Sequence, residues 1–597
     1  MRKLEYLLLL TGVVFVAATN SPVQQQQQSL STPSRPNVIF ILTDDQDVHL
    51  DSLNYMPFVQ KHLVDKGTSY RSHYCTTSVC CPSRVTLWTG KLAHNTNVTD
   101  VNPPYAVGGY PKFISQGFND NYLPVWLQQA HYNTYYTGKL FNVHTVDNYD
   151  SPFPAGFTGT DFLLDPFTYD YLNSTFQRDK EKPQSYEGEY LTDVLTQKAY
   201  RLLDEAVHAA NPFFLTIAPI APHCNVFMNG TGLDKNPVFS FSAPIPAKRH
   251  EHLFEGVKVP RTESFNPDEL SGANWIRTLK KQNESNVEYN DYFYRSRLRA
   301  LQAVDELVDG LFARLHQHNL LDNTYVVYSS DNGYHIGQHR MQPGKSCGYE
   351  EDINVPLIIR GPGVAENAST DVVTTHTDLA PTFLQLLGIP LRVDFDGAAI
   401  PLTPREIEAA LETRQEHVNV EYWGFAAGEG IYDFDLSAYN NTYKALRITG
   451  KGYNLYYAVW CNNEHELYDM NEERSIANPI KTDPHQMHNL LLDKEEATIL
   501  MHHPIPKLVA RLDALLLVLK SCKGASCVEP WRALHPRGGV DTLADALSAR
   551  YDRFYELEQP RVRFNECERG FLLHSEGPQF ESAGKMFRDG LPWYEWV

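Results

Sequence analysis

At 597 residues the chain is too long for one hydrophobic core, and it is expected to divide into a large domain and a smaller one. Its formal net charge of −20 excludes nucleic acid or an anionic membrane as the main partner, because each requires a basic face. An anionic substrate would have to be held by a local cluster of cations inside a generally repulsive field.

Met1-Arg2-Lys3 followed by the apolar run from Leu7 to Ala18 has the pattern of a secretory signal peptide over residues 1–18. That run is short for a membrane span, and no later run is long enough, so no transmembrane segment is expected. Residues 19–34, rich in Gln, Ser and Pro, have little to bury and read as a linker. Sequons at Asn97, Asn173, Asn229, Asn283, Asn367 and Asn440 agree with the secretory pathway, leading to the exterior or to a lysosome, vacuole or cell wall. The nine cysteines include no Cys-x-x-Cys pair; the odd number leaves at least one unpaired, and Cys522 with Cys527 can close a short loop.

Order begins near Arg35. Asn37 to Thr43 is a continuous apolar run of strand length, as expected for a central parallel strand covered on both faces, and it ends in Asp44-Asp45. The arrangement recurs: Tyr132–Thr137 ends in Gly138-Lys139, Pro212–Ala218 leads to His223, Asn323–Ser329 ends in Ser330-Asp331-Asn332-Gly333, and Val355–Ile359 ends in Arg360-Gly361. Helical stretches at Tyr190–His208 and Arg295–His318 alternate with these strands. Ligands of open parallel sheets bind outside the carboxyl ends of the strands, so four distant segments can bring Asp44, Asp45, Lys139, His223, Asp331 and Asn332 to one rim. Thr377 to Gly388 reads as a helix with Asp378 in a capping position. Beyond Pro390, short β-like pieces at Glu416–Tyr422 and Tyr443–Ile448 suggest a second α/β or antiparallel domain, with bounds of 35–395 and 396–597 for the two.

Between the first two strands lies Ser78-Val-Cys80-Cys81-Pro82-Ser83-Arg84, followed by Thr89-Gly90-Lys91. Pro82 and Ser83 suit a first helical turn and Gly90 a stop, which sets Cys80 where unpaired N–H groups converge. A helix start with Arg84 close behind predicts a reactive cysteine, against the ordinary alternative of a packed or disulfide-bonded thiol. Cys81 reads as a packed thiol.

Asp44, Asp45, Asp331 and Asn332 supply only oxygen ligands, which suits calcium or magnesium better than zinc. Each pair alone is ordinary turn chemistry, and their shared position at strand ends is what makes a half-cage. Lys139, His223 and Lys345 join Arg84 and Lys91 as cations that can bind a tetrahedral oxyanion and spread its transition-state charge.

These residues resemble the sulfatases of the alkaline-phosphatase superfamily, from about Arg35 to Leu490. Cys80-x-Pro82-Ser83-Arg84 with Thr89-Gly90-Lys91 is similar to that family's signature; Asn37–Asp45, Gly138-Lys139, Ala221-Pro222-His223, Ser330–Gly333, Lys345–Glu350, Glu466–Asp469 and Asn489-Leu490 resemble its other blocks in order. The resemblance implies a large central, mostly parallel sheet flanked by helices, with a smaller C-terminal α/β domain containing an antiparallel sheet. It implies that a separate formylglycine-generating enzyme converts Cys80 to formylglycine, and that Asp44, Asp45, Asp331, Asn332 and the modified Cys80 bind one Ca2+. Arg84 would orient the formylglycine; Lys139, His223 and Lys345 would hold the sulfate and assist the leaving oxygen; Lys91 would support the helix. One hydroxyl of the hydrated aldehyde would attack sulfur and the other would later expel sulfate, so unmodified Cys80 would leave the enzyme nearly inactive.

One departure bears on the substrate. Many members carry a histidine two residues after the Gly-Lys lysine, whereas this chain reads Lys139-Leu140-Phe141-Asn142-Val143-His144; Asn142, His144, His335 and His339 are the candidates to replace it. The resemblance favours an arylsulfatase acting on a small sulfate ester, with an N-acetylglucosamine-6-sulfatase or other sugar sulfatase as the alternative. A phosphate or phosphonate ester hydrolase, or an inactive secreted binding protein, follows behind.

Overall fold

The computed structural model describes residues 35–101, 108–209, 211–230, 238–432, 436–471, 482–492 and 499–580. The signal peptide, the linker and the last part of the C-terminal tail lie outside the described residues.

Strand β1 (Asn37–Thr43) is buried along its whole length. Its alternating side chains feed two cores: Val38, Phe40 and Leu42 enter one, Ile39 and Ile41 the other. Around it are β2 (Thr68–Tyr70), helix α1 (Cys80–Thr89), β3 (Asn133–Lys139), β4 (Gly159–Leu163), β5 (Asn173–Arg178) and β6 (Gln184–Glu187). Then follow α2 (Leu191–His208), β7 (Phe213–Ala218), α3 (Glu284–Gln317), β8 (Thr324–Ser330), β9 (Leu357–Arg360), β10 (Ala368–Thr370) and α4 (Leu379–Leu386). The ten strands form one sheet in the order β10-β2-β9-β8-β1-β7-β3-β4-β5-β6. Its centre, β8-β1-β7-β3-β4, is parallel, with Thr43 opposite Ser330 and Gly138 opposite Ala218. The expected mostly parallel sheet is present, and the ends of β1, β3, β7 and β8 share one rim.

Two elements differ from expectation. Strand β9 runs antiparallel to β8, with Leu357 opposite Ser329, so Arg360 and Gly361 leave from the opposite rim. The connection after β8 re-enters from the rim it left, without the long crossover that a parallel partner needs. Helix α3 begins eleven residues before Arg295. Its first turns are polar and lack an apolar stripe, and the start is set by the Asn283 side chain, which accepts from Asn286 N at 3.0 Å. Asp378 takes the capping position read from sequence: its carboxylate accepts from Thr375 N at 2.8 Å and also pairs with Arg414 at 2.8 Å.

A second sheet, antiparallel and in sequence order, contains β11 (His417–Tyr422), β12 (Tyr443–Gly450), β13 (Tyr453–Trp460) and β14 (His465–Asp469). Tyr456, Ala458 and Tyr468 pack with Tyr74, Val79, Tyr349 and Ile353 beside the cysteine helix. Leu455, Tyr457 and Val459 pack instead on helix α5 (Ile505–Leu519) and on tail residues such as Leu543, Tyr555 and Phe564. The Cys461–Cys567 disulfide joins this tail to the sheet, and Cys522–Cys527 closes the short loop expected. Among the described residues no helix is long and apolar enough to cross a membrane.

Candidate active site

The strand ends bring polar and charged side chains to the rim. β1 delivers Asp44 and Asp45, the latter in a left-handed conformation at φ 66°, which Asp tolerates better than most residues. Arg297 fixes this turn, donating to Asp45 O at 2.6 Å and to Asp47 Oδ1 at 2.9 Å. β3 delivers Lys139 past Gly138, whose φ is 104° and where a Cβ would lie 2.0 Å from Ala218 O, so only glycine lets β3 and β7 come this close.

Helix α1 begins at Cys80 and stops at Gly90, with φ 66°, as read from sequence, and all ten of its residues are buried. Arg84 ties three strand ends together: Nε donates to Asp331 Oδ2 at 2.7 Å, one terminal nitrogen donates to Lys139 O at 2.6 Å, and the other lies 3.6 Å from Asp44 Oδ2. Ser83 Oγ adds a bond to Asp331 O at 2.5 Å.

Around this frame the nine residues picked out by sequence meet. Cys80 Sγ donates to Asp44 Oδ1 at 3.5 Å, and Lys139 Nζ reaches Asp44 Oδ2 at 2.5 Å. Lys345 Nζ bonds both Asp45 oxygens at 2.7 Å. Asn332 Nδ2 donates to Asp45 Oδ1 at 2.8 Å, and Asp45 N to Asp331 Oδ1 at 3.0 Å. His223 Nε2 lies 3.6 Å from Asp45 Oδ2, while its Nδ1 is 2.8 Å from Cys224 O.

Burial would raise Asp44, but Lys139, His223 and Arg84 outweigh it and hold the carboxyl below its ordinary value. Burial would lower Lys139 and Lys345, yet Asp44 and Asp45 respectively keep both ammonium groups charged above their usual range. Burial and then Lys345 push His223 down to about 4, so its contact with Asp45 joins a neutral imidazole to a carboxylate and is not an ion pair. The Cys80 thiol goes the other way from the reactive cysteine expected. Burial first, and Asp44 next, push it well above its ordinary value, and Lys139 and Lys345 do not compensate. Desolvation outweighs the helix start.

The rim also has the donors for a hard cation. Ligand atoms of Asp44, Asp45, Cys80 and His223 lie within 4.8 Å of one another, and Asn332 Oδ1 is buried with no hydrogen-bond partner. A buried, unpaired carbonyl oxygen on Asn332, whose Nδ2 donates to Asp45, together with these carboxylates fits a Ca2+-type ligand set.

Of the candidates for the missing histidine, Asn142 donates through Nδ2 to Oη of Tyr169, which stacks on His223, at 2.7 Å. His144 packs in an aromatic core, 4.5 Å from Tyr110 and 5.3 Å from Phe162. His335 is engaged by Asp352 at 2.8 Å, and His339 stacks on Tyr349 at 4.2 Å. Lys91 pairs with Asp394 at 2.9 Å, at the far end of α1.

Two site residues escaped the sequence reading. Tyr169 stacks on His223 at 4.2 Å and has Lys139 Nζ 4.8 Å from its ring centroid. Glu429 reaches Lys345 at 3.0 Å. Neither carries a local signal: Tyr169 is one aromatic among several, and Ala-Ala-Gly-Glu429-Gly reads as a turn.

Comparison with known proteins gives the family. A family model described as "Sulfatase" matches residues 36–389, and one described as "N-sulphoglucosamine sulphohydrolase, C-terminal" matches residues 337–510. The chain is 38% identical over 554 residues to an arylsulfatase of Volvox carteri, covering 89% of this chain and 82% of that one. It is 30% identical to a human N-acetylglucosamine-6-sulfatase, covering 83% and 86%. A solved structure of a protein in complex with its substrate D-glucosamine-2-N,6-O-disulfate shares the fold, with TM-score 0.60 and 22% identity over 78% of this chain and 95% of that one. With the matched family spanning most of the sheet that carries the rim, the chain belongs to the sulfatase family and is a sulfuric ester hydrolase.

Proposed function

We propose that the protein is an arylsulfatase, hydrolysing an aryl sulfate to a phenol and sulfate, with formylglycine derived from Cys80 and one Ca2+ held by Asp44, Asp45, Asp331, Asn332 and residue 80. The observation that carries this reading is the poverty of acid groups at the rim: His144, His335 and His339 are engaged elsewhere, leaving Lys139, Lys345 and His223 to face the site. A phenol of pKa about 10 leaves with little acid assistance, whereas a sugar hydroxyl needs much more. The greater identity to the Volvox arylsulfatase, 38% against 30%, supports the same choice.

The hydrated formylglycine would supply a hydroxyl nucleophile and a second hydroxyl that releases sulfate, and the cation would offset developing negative charge. Arg84 holds residue 80 and Asp331 in one frame. Lys139 and Lys345 bring two ammonium groups to the sulfate oxygens. Because Nδ1 of neutral His223 faces a carbonyl, which only accepts, Nδ1 carries the hydrogen and Nε2 is left bare toward the site. It is placed to take a proton before it can give one.

Two disulfides suit an oxidising compartment, which supports secretion after removal of residues 1–18, with a lysosome, vacuole or cell wall as other destinations. Comparing kcat/KM for an aryl sulfate and for a 6-sulfated N-acetylglucosamine tests the substrate. A clear preference for the sugar overturns the aryl reading in favour of the second relative's activity.

A further inference from the structure

Glu429 comes from the segment between the strands of the second sheet, yet its carboxylate enters the rim of the first. Oε1 lies 3.0 Å from Lys345 Nζ, and Cys224 Sγ donates to Oε2 at 3.7 Å, one residue from His223. The backbone holds it there. Glu429 N donates to Pro343 O at 2.7 Å, Gly428 pairs with Gly344 as an antiparallel bridge, and Ile431 N donates to Tyr289 Oη at 3.1 Å. The side chain is about one-tenth exposed, 11% against 5% for Lys345.

Lys345 already has Asp45 as a counter-ion, so Glu429 is not needed to neutralise it. The extra carboxylate changes the total. The rim holds three cations, Arg84, Lys139 and Lys345, against Asp44, Asp45 and Asp331; Glu429 is a fourth carboxylate. With a divalent cation bound, the rim carries one positive charge with Glu429 and two without it. Whatever the protonation of His223, Glu429 shifts the total by one unit.

We propose that Glu429 is a specificity-determining residue, matching the rim to a singly charged sulfate ester and against doubly charged tetrahedral anions, both phosphate monoesters and the inorganic sulfate released as product. This rests on the sulfate-ester reading above. A dianion feels the Glu429 charge twice as strongly as a monoanion of the same shape. The same repulsion that excludes phosphate therefore speeds the departure of sulfate.

The test uses benzenesulfonate and phenylphosphonate, which share a ring and a tetrahedral head but differ by one charge at about pH 8.5, above the second ionisation of the phosphorus acid. Binding of each to the calcium-loaded, matured enzyme is measured by calorimetry for wild type, Glu429→Gln and Glu429→Asp. In Glu429→Gln, phenylphosphonate tightens relative to benzenesulfonate by about tenfold, the effect of one partly screened charge. Glu429→Asp keeps a ratio near wild type, and product inhibition by inorganic sulfate strengthens in Glu429→Gln. Should the glutamine variant not fold, Glu429→Ser carries the same expectation. An unchanged ratio, or both ligands weakened by the same factor, overturns the proposal and leaves Glu429 with a structural role. Failure of the wild type to hydrolyse any sulfate ester would strike the reading beneath it, a separate result from the ligand ratio.

Discussion

The guanidinium of Arg84 meets the carboxylate of Asp331 through Nε at 2.7 Å, with both side chains fully buried. It joins the helix that starts at Cys80 to the end of β8, and it keeps two charges in a place where neither could stay alone. Asp331→Asn leaves the Arg84 charge short of its main partner, and breaking such a pair costs about 3–5 kcal/mol. Urea denaturation is expected to show a loss of that size, along with weaker calcium binding. A loss near zero would mean that the pair is not what holds the helix to the strand.

Calcium should act on stability as well as on turnover, since Asp44 and Asp331 share Arg84 and Lys139, Asp45 N donates to Asp331 Oδ1, and Asn332 Oδ1 is buried without a partner. Chelation is expected to lower the thermal midpoint and added calcium to restore it. The gain is about 2.7 kcal/mol at a hundred times the dissociation constant. Asn332→Leu should shrink that calcium-dependent shift. A midpoint indifferent to calcium would remove the metal from the account.

His144 gives a pH dependence of known sign. Burial pushes its pKa from 6.5 to about 3, so as pH falls the unfolded chain takes up the proton first. The stability contributed by the neutral ring is complete above pH 6.5 and is lost as pH falls toward 3, by about 1.4 kcal/mol per pH unit. His144→Phe lacks this loss. Its stability relative to wild type should therefore rise as pH falls through that window, while turnover at neutral pH persists because the ring sits among Tyr110 and Phe162. A parallel pH dependence in the two proteins would contradict the buried neutral imidazole.

The two disulfides should differ in worth. Cys461 and Cys567 are 106 residues apart, against 5 for Cys522 and Cys527, and loop-closure entropy assigns them about 4.7 and about 2 kcal/mol. Replacing the long-range pair with serines should lower the denaturation midpoint more than replacing the short one. The reverse order would show that the tail is held chiefly by its apolar contacts with α5.

The parts of the fold that could be read from sequence were those in which one local pattern has one structural meaning. The unbroken apolar run from Asn37 to Thr43 is such a pattern, and Val38 and Ile39 do enter different cores. The rim followed from it, because parallel strands place Asp44, Lys139 and Asp331 at one edge. The polar start of α3 had no stripe to reveal it, and the direction of β9 depends on how the connection after β8 returns. Glu429 was beyond reach for another reason: its partner Lys345 is 84 residues away in sequence, and a Gly-Glu-Gly turn looks the same with or without one. The raised Cys80 thiol was not legible because a helix start adds only partial charges, while the sequence does not show that the thiol lies buried against Asp44.

That thiol is where the account is most exposed. Burial and Asp44 push it above its ordinary value, which disfavours the thiolate, and the role proposed for residue 80 rests on replacement of its sulfur by the aldehyde. The direct measurement is the peptide mass of the segment containing Cys80, taken from a preparation of known sulfatase activity. The mass of the aldehyde is expected in place of the thiol, in proportion to activity across preparations. Full activity from protein whose Cys80 peptide carries an intact thiol would contradict it.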